Sequence, residues 1–127
     1  MSLLTSKNVF EQLPSGLDSE IFDALYDKAG VKIERIISNG QSSPRQGWYE
    51  QEHDEWVMVI QGSAVLGFED SSKLSLSVGD HVLIPAMLKH KVLATSRTPA
   101  TIWLAVHASN PSKCFSDSDD DKQGETS

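Results

Sequence analysis

The sequence predicts an all-β fold, a small barrel or sandwich of antiparallel strands. Short segments rich in Val, Ile and Leu alternate with turns made of Gly, Pro, Asp and Ser. Two of these turns, around Gly79-Asp80 and Pro85, flank a single apolar stretch. Helical patterns do not recur between the strand candidates, which disfavours a parallel sheet with crossover helices. A chain of 127 residues can bury one core, so we expect a single domain.

The strands of this domain are predicted from residue 31 onward. Residues 31–37 alternate with a period of two, which places Val31, Ile33, Arg35 and Ile37 on one face and Lys32 and Glu34 on the other. The later candidates are residues 55–61, 63–68, 73–77, 81–84, 90–95 and 100–107. Together they form the predicted barrel, residues 31–110.

A short helix is predicted before the barrel, over residues 18–30. Asp18 or Ser19 can cap its first N–H groups, and Ile21, Phe22 and Leu25 have helical spacing. A glycine at position 30 suits the left-handed conformation that ends many helices. We therefore expect residues 1–30 to form an arm and a helix that pack on the barrel.

The C-terminal segment differs in composition from the rest of the chain. Of the net charge of −7, residues 116–127 carry −4, from five acids and Lys122, which leaves about −3 for the body. Because this segment has no apolar side chain, we expect residues 111–127 to be a disordered acidic tail. A solvated tail and an interaction segment both fit this composition.

Composition also limits the partners and the compartment. No basic stripe is present that could neutralise phosphates, so we expect no nucleic-acid binding. We also expect no membrane span, because no apolar run approaches the roughly 20 residues that it needs. A single cysteine, Cys114, cannot form an internal disulfide, and this favours the reducing cytoplasm.

Two spaced motifs carry a resemblance to a known family. Glu55-x6-Gly62 and Gly79-x5-Pro85-x4-His90 are separated by sixteen residues. They resemble the two motifs of the cupin superfamily, in particular those of small single-domain bacterial members. The resemblance covers about residues 8–107 and implies a double-stranded β-helix, the jelly-roll barrel. It also implies an inward-facing His90.

The sequence departs from the family motifs at four positions. Tyr49 and Gln51 stand where the family has its histidine pair. Met87 replaces the usual glycine of the second motif, and Ala94 replaces a frequent asparagine. The fold expectation rests on the turns and spacing, which these changes leave intact.

Three side chains are candidate metal ligands. His53 and Glu55 share one side of a strand, and His90 follows a turn from another part of the chain. Two histidines and one carboxylate can hold a divalent metal, Fe, Mn, Ni or Zn, with open positions for a substrate. Gln51 has the same parity and could be a fourth ligand. Solvated histidines with no metal are the alternative.

Five residues, Gln51 among them, are predicted to line a ligand pocket: Arg35, Tyr49, Gln51, Trp56 and His107. Arg35 interrupts an apolar face, so it either binds an anion in the cavity or reaches solvent. A buried Glu55 needs a partner, for which Arg35 and His90 are the candidates. The alternative for His107, which ends the last strand, is a packed or an edge histidine.

We therefore expect a barrel that binds a small polar molecule, and two classes of function remain open. One is a metal-dependent enzyme, and the other is a metal-free binding or sensor module. Fold alone does not choose between them. Open sheet edges and an apolar N-terminal segment around Val9, Phe10 and Leu13 also predict a homodimer.

Overall fold

A computed structural model describes residues 3–14 and 18–109 of the chain. It contains two antiparallel sheets, one with the strand order β1-β2-β8-β3-β6 and one with the order β5-β4-β7. The strands are β1 (Ile21–Lys28), β2 (Val31–Ser38), β3 (Asp54–Gln61), β4 (Ala64–Phe68), β5 (Lys73–Leu76), β6 (His81–Ile84), β7 (His90–Thr95) and β8 (Thr101–Ala108). The all-β jelly-roll prediction is confirmed, and β2 to β8 lie within one residue of their predicted bounds.

The core lies between the two sheets. Each strand alternates its side chains, so one face of each sheet can supply apolar groups to a common interior. The buried cluster combines residues of both sheets: Ile36, Val57, Val59, Ala64, Leu66, Leu76, Ile84, Trp103 and Ala105. Several of these residues also form the apolar wall of a cavity at one end of the barrel.

The predicted N-terminal helix is wrong. Residues 21–28 form strand β1, which pairs with β2 along its whole length. The hairpin turn contains Ala29 and Gly30, both with positive φ, so the glycine serves a two-residue hairpin turn and not the end of a helix. Pairing with β2 gives the backbone its hydrogen bonds, and it brings Phe22 opposite Ile36. This hairpin pairing overrides a weak helical pattern.

Arg35 lies on the face of β2 that points away from the cavity. Its guanidinium donates hydrogen bonds to Asp23 Oδ2 at 2.7 Å and 3.2 Å and to the carbonyl oxygens of Val9 and Glu11 at 3.0 Å and 2.7 Å. The predicted alternation of β2 is correct, but the predicted pocket role of Arg35 is wrong. Its charge instead holds the N-terminal arm against the outer sheet face.

Glycines stand at two turns that the sequence motifs contain. Gly62 has φ +81°, and a Cβ built there would lie 2.4 Å from Ser96 Oγ and 2.9 Å from the Ala100 carbonyl oxygen. Gly79 has φ +90° with no such crowding. Met87 also adopts a positive φ, of 69°, at the position where the family has glycine. Its N–H donates a 2.6 Å hydrogen bond to the Gln51 carbonyl, which joins the turn to the segment before β3.

Two further predictions concern the C-terminal segment and membrane spans. The predicted acidic tail, residues 111–127, lies outside the described residues. Across residues 3–14 and 18–109, we find no helix with the length and apolar character that a membrane span requires.

Candidate functional site

A cavity of about 520 Å³ opens at one end of the barrel. Volumes of this size are typical of small-molecule sites. Its wall combines an apolar part with polar side chains from β2, β3, β7, β8 and the segment before β3. The polar set includes Glu34, Tyr49, Gln51, His53, Glu55, His90 and His107. The structure therefore brings together six of the eight sequence-predicted site residues in one cavity.

Glu55 lies at the centre of this polar set. Its Oε1 accepts a 2.8 Å hydrogen bond from Gln51 Nε2 and lies 3.7 Å from His90 Nε2, while its Oε2 lies 3.8 Å from His107 Nε2. Burial acts to raise the pKa of the carboxyl, but His90, Gln51 and His107 together outweigh it. The net effect is a pKa below the usual value, so Glu55 is a carboxylate at neutral pH.

His90 is almost fully buried, with 4% exposure. Its Nδ1 lies 2.9 Å from the Leu88 carbonyl oxygen, so this nitrogen carries a proton and Nε2 faces Glu55. Burial lowers the pKa of the imidazole, but the Glu55 carboxylate and the Leu88 carbonyl raise it further, and the net shift is upward. Two backbone hydrogen bonds, at 2.8 Å and 3.0 Å, join the His90 backbone to that of Tyr49.

A second set of hydrogen-bonded side chains lies beside Glu55 and His90. His107 Nε2 lies 3.0 Å from Glu34 Oε1, and His107 Nδ1 lies 3.0 Å from His53 Nε2. The two imidazole rings meet edge to face, with centroids 5.0 Å apart. Glu34 is also paired with Lys32 at 3.2 Å. Burial, followed by the neighbouring His107, lowers the pKa of His53.

Glu34 is the site residue that the sequence interpretation missed. The parity of β2 separated Glu34 from Arg35 correctly, but the apolar face was taken to be the inner one. Both faces of β2 are buried from residue 34 to residue 38, so parity alone does not show which face is inside. The register of β2 with β8 identifies the inner face, because Glu34 and Ile36 pair with Ala105 and Trp103 of β8.

Two predicted pocket residues do not line the cavity. Arg35 lies on the outer face, as described above. Trp56 follows the inward-facing Glu55 and therefore points outward, where its ring lies 5.4 Å from that of His81. Trp48, next to the cavity residue Tyr49, lies under Lys91, whose Nζ is 4.2 Å from the indole centroid.

The predicted metal ligands do not converge on one point. His53 Nε2 is hydrogen-bonded to His107, and His90 faces Glu55 at a distance longer than a direct hydrogen bond. Within residues 3–14 and 18–109, no group of three or more His, Cys, Asp or Glu side chains could hold a metal ion. His53 Nε2 contacts His107 and Glu55 Oε1 accepts from Gln51, so the described side chains do not present three donor atoms to one metal ion.

Acidic residues dominate the charge around the cavity. Its wall includes four carboxylates, those of Glu20, Asp27, Glu34 and Glu55, against one ammonium group, that of Lys32. That ammonium is already paired with Glu34. The cavity therefore offers many hydrogen-bond acceptors and little positive charge for an anion.

Comparisons with known proteins agree with this architecture. The profile of the cupin domain family matches residues 34–107. A crystal structure from Ralstonia eutropha JMP134, which carries the provisional name mannose-6-phosphate isomerase, is 44% identical. That match covers 84% of this chain and 100% of the other, with a TM-score of 0.79. No functionally curated protein matches the sequence.

More distant structures share the fold. A cupin superfamily protein from Desulfitobacterium hafniense DCB-2 is 21% identical over 77% of this chain and 84% of its own, with a TM-score of 0.65. An RmlC-like cupin with a double-stranded β-helix fold, from Methanocaldococcus jannaschii, is 18% identical over 83% and 94%, with a TM-score of 0.63. With more than half of its length matched by the family profile, the chain belongs to the cupin family.

Proposed function

We propose that the cavity binds a small, uncharged molecule rich in hydroxyl groups, such as a free sugar. The observation that carries this proposal is the mixed character of one cavity wall. Carboxylate, imidazole and amide groups at Glu34, Glu55, His90 and Gln51 can bind hydroxyl groups, while Trp103 and its apolar neighbours can contact the C–H face of a ring. The volume of about 520 Å³ suits a monosaccharide with a few waters.

The charge of the cavity favours an uncharged ligand over a phosphorylated one. The relative from Ralstonia eutropha is named for a sugar phosphate. In this chain a phosphate dianion would enter a cavity whose wall holds four carboxylates, three imidazoles and one lysine that is already paired. Repulsion in a partly desolvated cavity would weaken its binding. We therefore expect the unphosphorylated sugar to bind more tightly than its phosphate.

A second candidate function is proton transfer on the bound molecule. Interconversion of an aldose and a ketose moves a proton between neighbouring carbon atoms and requires a paired base and acid. The cavity wall offers titratable side chains for both roles, at His53, Glu55, His90 and His107. The other class, a metal-free binding or sensor module, would use the same cavity without turnover.

Binding by this network would not require a metal, since hydroxyl groups can form hydrogen bonds with the side chains directly. We expect Fe, Mn, Ni and Zn in protein purified without a histidine tag to total well below one ion per chain. Near-stoichiometric metal that is lost in a His90→Ala variant would contradict this. Sugar binding that survives treatment with a chelator would support it. On the basis of the single cysteine we place this activity in the cytoplasm.

We also propose that the protein forms a homodimer through the outer face of its larger sheet. One row of side chains crosses all five strands on this face, namely Tyr26, Ile33, Val106, Trp56 and Leu83. The two at the ends are 46% and 55% exposed. This row lies beside the part of the face that the N-terminal arm covers at Arg35.

The experiment for the ligand class is a thermal-shift series on the full chain. D-mannose, D-fructose, inositol and D-mannose 6-phosphate would each be added at increasing concentration. A rise in melting temperature with at least one uncharged compound, larger than that with the phosphate, supports the proposal. A rise with the phosphate alone would contradict it.

A further inference from the structure

We propose that Glu34 and His107 act as positioning residues that fix the tautomer of His53, and so make its Nδ1 the proton acceptor of the cavity. The inference extends the second candidate function, because it names the base that would take a proton from a bound molecule. It rests on three consecutive contacts. Lys32 Nζ lies 3.2 Å from Glu34 Oε2, Glu34 Oε1 lies 3.0 Å from His107 Nε2, and His107 Nδ1 lies 3.0 Å from His53 Nε2.

The direction of each hydrogen bond follows from the first. A carboxylate paired with a lysine can only accept, so His107 Nε2 must carry the proton that it donates to Glu34. In a neutral imidazole the other nitrogen then has a lone pair, and His107 Nδ1 accepts from His53 Nε2. The same rule leaves His53 Nδ1 without a proton. The lowered pKa of His53 is consistent with a neutral imidazole in this residue.

The arrangement also accounts for where a captured proton would go. When His53 Nδ1 takes a proton, its Nε2 proton can pass along the 3.0 Å contact to His107 Nδ1. His53 is then neutral again, with its proton on Nδ1, and the positive charge is on His107. There Nε2 lies 3.0 Å from Glu34 and 3.8 Å from Glu55. The charge would thus lie between two carboxylates.

Nitrogen-15 NMR of the histidine rings tests this directly, because two-bond couplings to the ring protons distinguish the tautomers. At about pH 8, where an ordinary imidazole is neutral, the wild-type protein should show protonated Nε2 and bare Nδ1 in both His53 and His107. A bare Nε2 in His53 would overturn the proposal. No ligand is needed, so this result is independent of whether the cavity binds a sugar.

Variants separate the positioning role from a structural one. In Glu34→Gln, which keeps the size of the side chain, the amide can donate or accept, and we expect both rings to become tautomer mixtures. Asp27→Asn is the matched control, because it also removes one cavity carboxylate but touches neither ring in the described contacts. It should leave both tautomers unchanged. Unchanged tautomers in Glu34→Gln, or mixtures in both variants, would overturn the role of Glu34.

Discussion

The carboxylate of Glu55 and the imidazole of His90 face each other at 3.7 Å across the cavity, although they belong to different sheets. Both side chains are nearly enclosed, with exposures of 12% and 5%. Their contact connects the two sheets of the barrel. It also joins the first sequence motif to the second, since Glu55 begins one and His90 ends the other.

The stability contributed by this pair should depend on pH in both directions. His90 has a raised pKa, so its contribution is complete below 6.5 and is lost as pH rises through the folded-state value. Glu55 has a lowered pKa, so its contribution is complete above 4.5 and is lost as pH falls through the folded-state value. The pair should therefore stabilise the fold most between pH 4.5 and 6.5.

Denaturant unfolding across pH measures this dependence. In the wild type the free energy of unfolding should fall as pH rises above 6.5. This decrease should be absent in His90→Gln and present in His81→Gln, which changes an exposed histidine on β6. Parallel curves for the wild type and His90→Gln at all pH values would contradict the account of the pair.

Arg35 should be required to hold the N-terminal arm. Arg35→Met keeps much of the apolar stem but loses the bonds to Asp23, Val9 and Glu11, and it leaves these acceptors without their donor. We expect a loss of roughly 2–4 kcal/mol in the free energy of unfolding. Amide exchange in residues 9–13 should also accelerate. The exposed Arg45 offers the control, Arg45→Met, which should change neither quantity.

Met87 should be less favourable than glycine at its position. Its φ of 69° is a conformation that a side chain with a Cβ adopts at a cost, and its side chain is 54% exposed, so little burial is lost on removal. We expect Met87→Gly to be more stable than Met87→Ala by about 1 kcal/mol. The alanine variant removes the side chain but keeps the Cβ. Equal stability of the two would show that the turn carries no strain at this residue.

The outer sheet face should be the site of self-association. Leu83→Arg places a charge at the end of the apolar row, and we expect light scattering to give a mass near one chain, 14.0 kDa, where the wild type gives two. Val78 is 63% exposed, lies between β5 and β6, and provides the control Val78→Arg, which should remain dimeric. A wild-type mass of one chain at about 100 µM would contradict the dimer.

The sequence was most informative where strands alternate and turns need glycine. Seven strands could be predicted because β-branched residues and turn residues agree with the sheet pairing that forms. Residues 18–30 could not, because Gly30 fits both the end of a helix and a two-residue hairpin turn, and only the pairing of β1 with β2 distinguishes the two.

The site was predictable in part for a similar reason. Glu55 and His90 could be found from motif spacing, and His53 and Gln51 from their parity with Glu55. Arg35 was predicted to face inward, whereas Glu34 does. The reason is that β2 is buried on both faces, and only the register with β8 decides which side is inward. The bonds between His53, His107 and Glu34 join residues far apart in sequence, so spacing could not predict them.

Calorimetric titration of D-mannose tests most directly whether this cavity binds a small uncharged sugar. Val92 lines the cavity, and Val92→Phe would fill part of it, whereas Leu83→Phe makes a similar change on the outer face. We predict saturable binding to the wild type and to Leu83→Phe, and at least tenfold weaker binding to a folded Val92→Phe. Equal binding to all three proteins, or no binding to the wild type, would contradict the account.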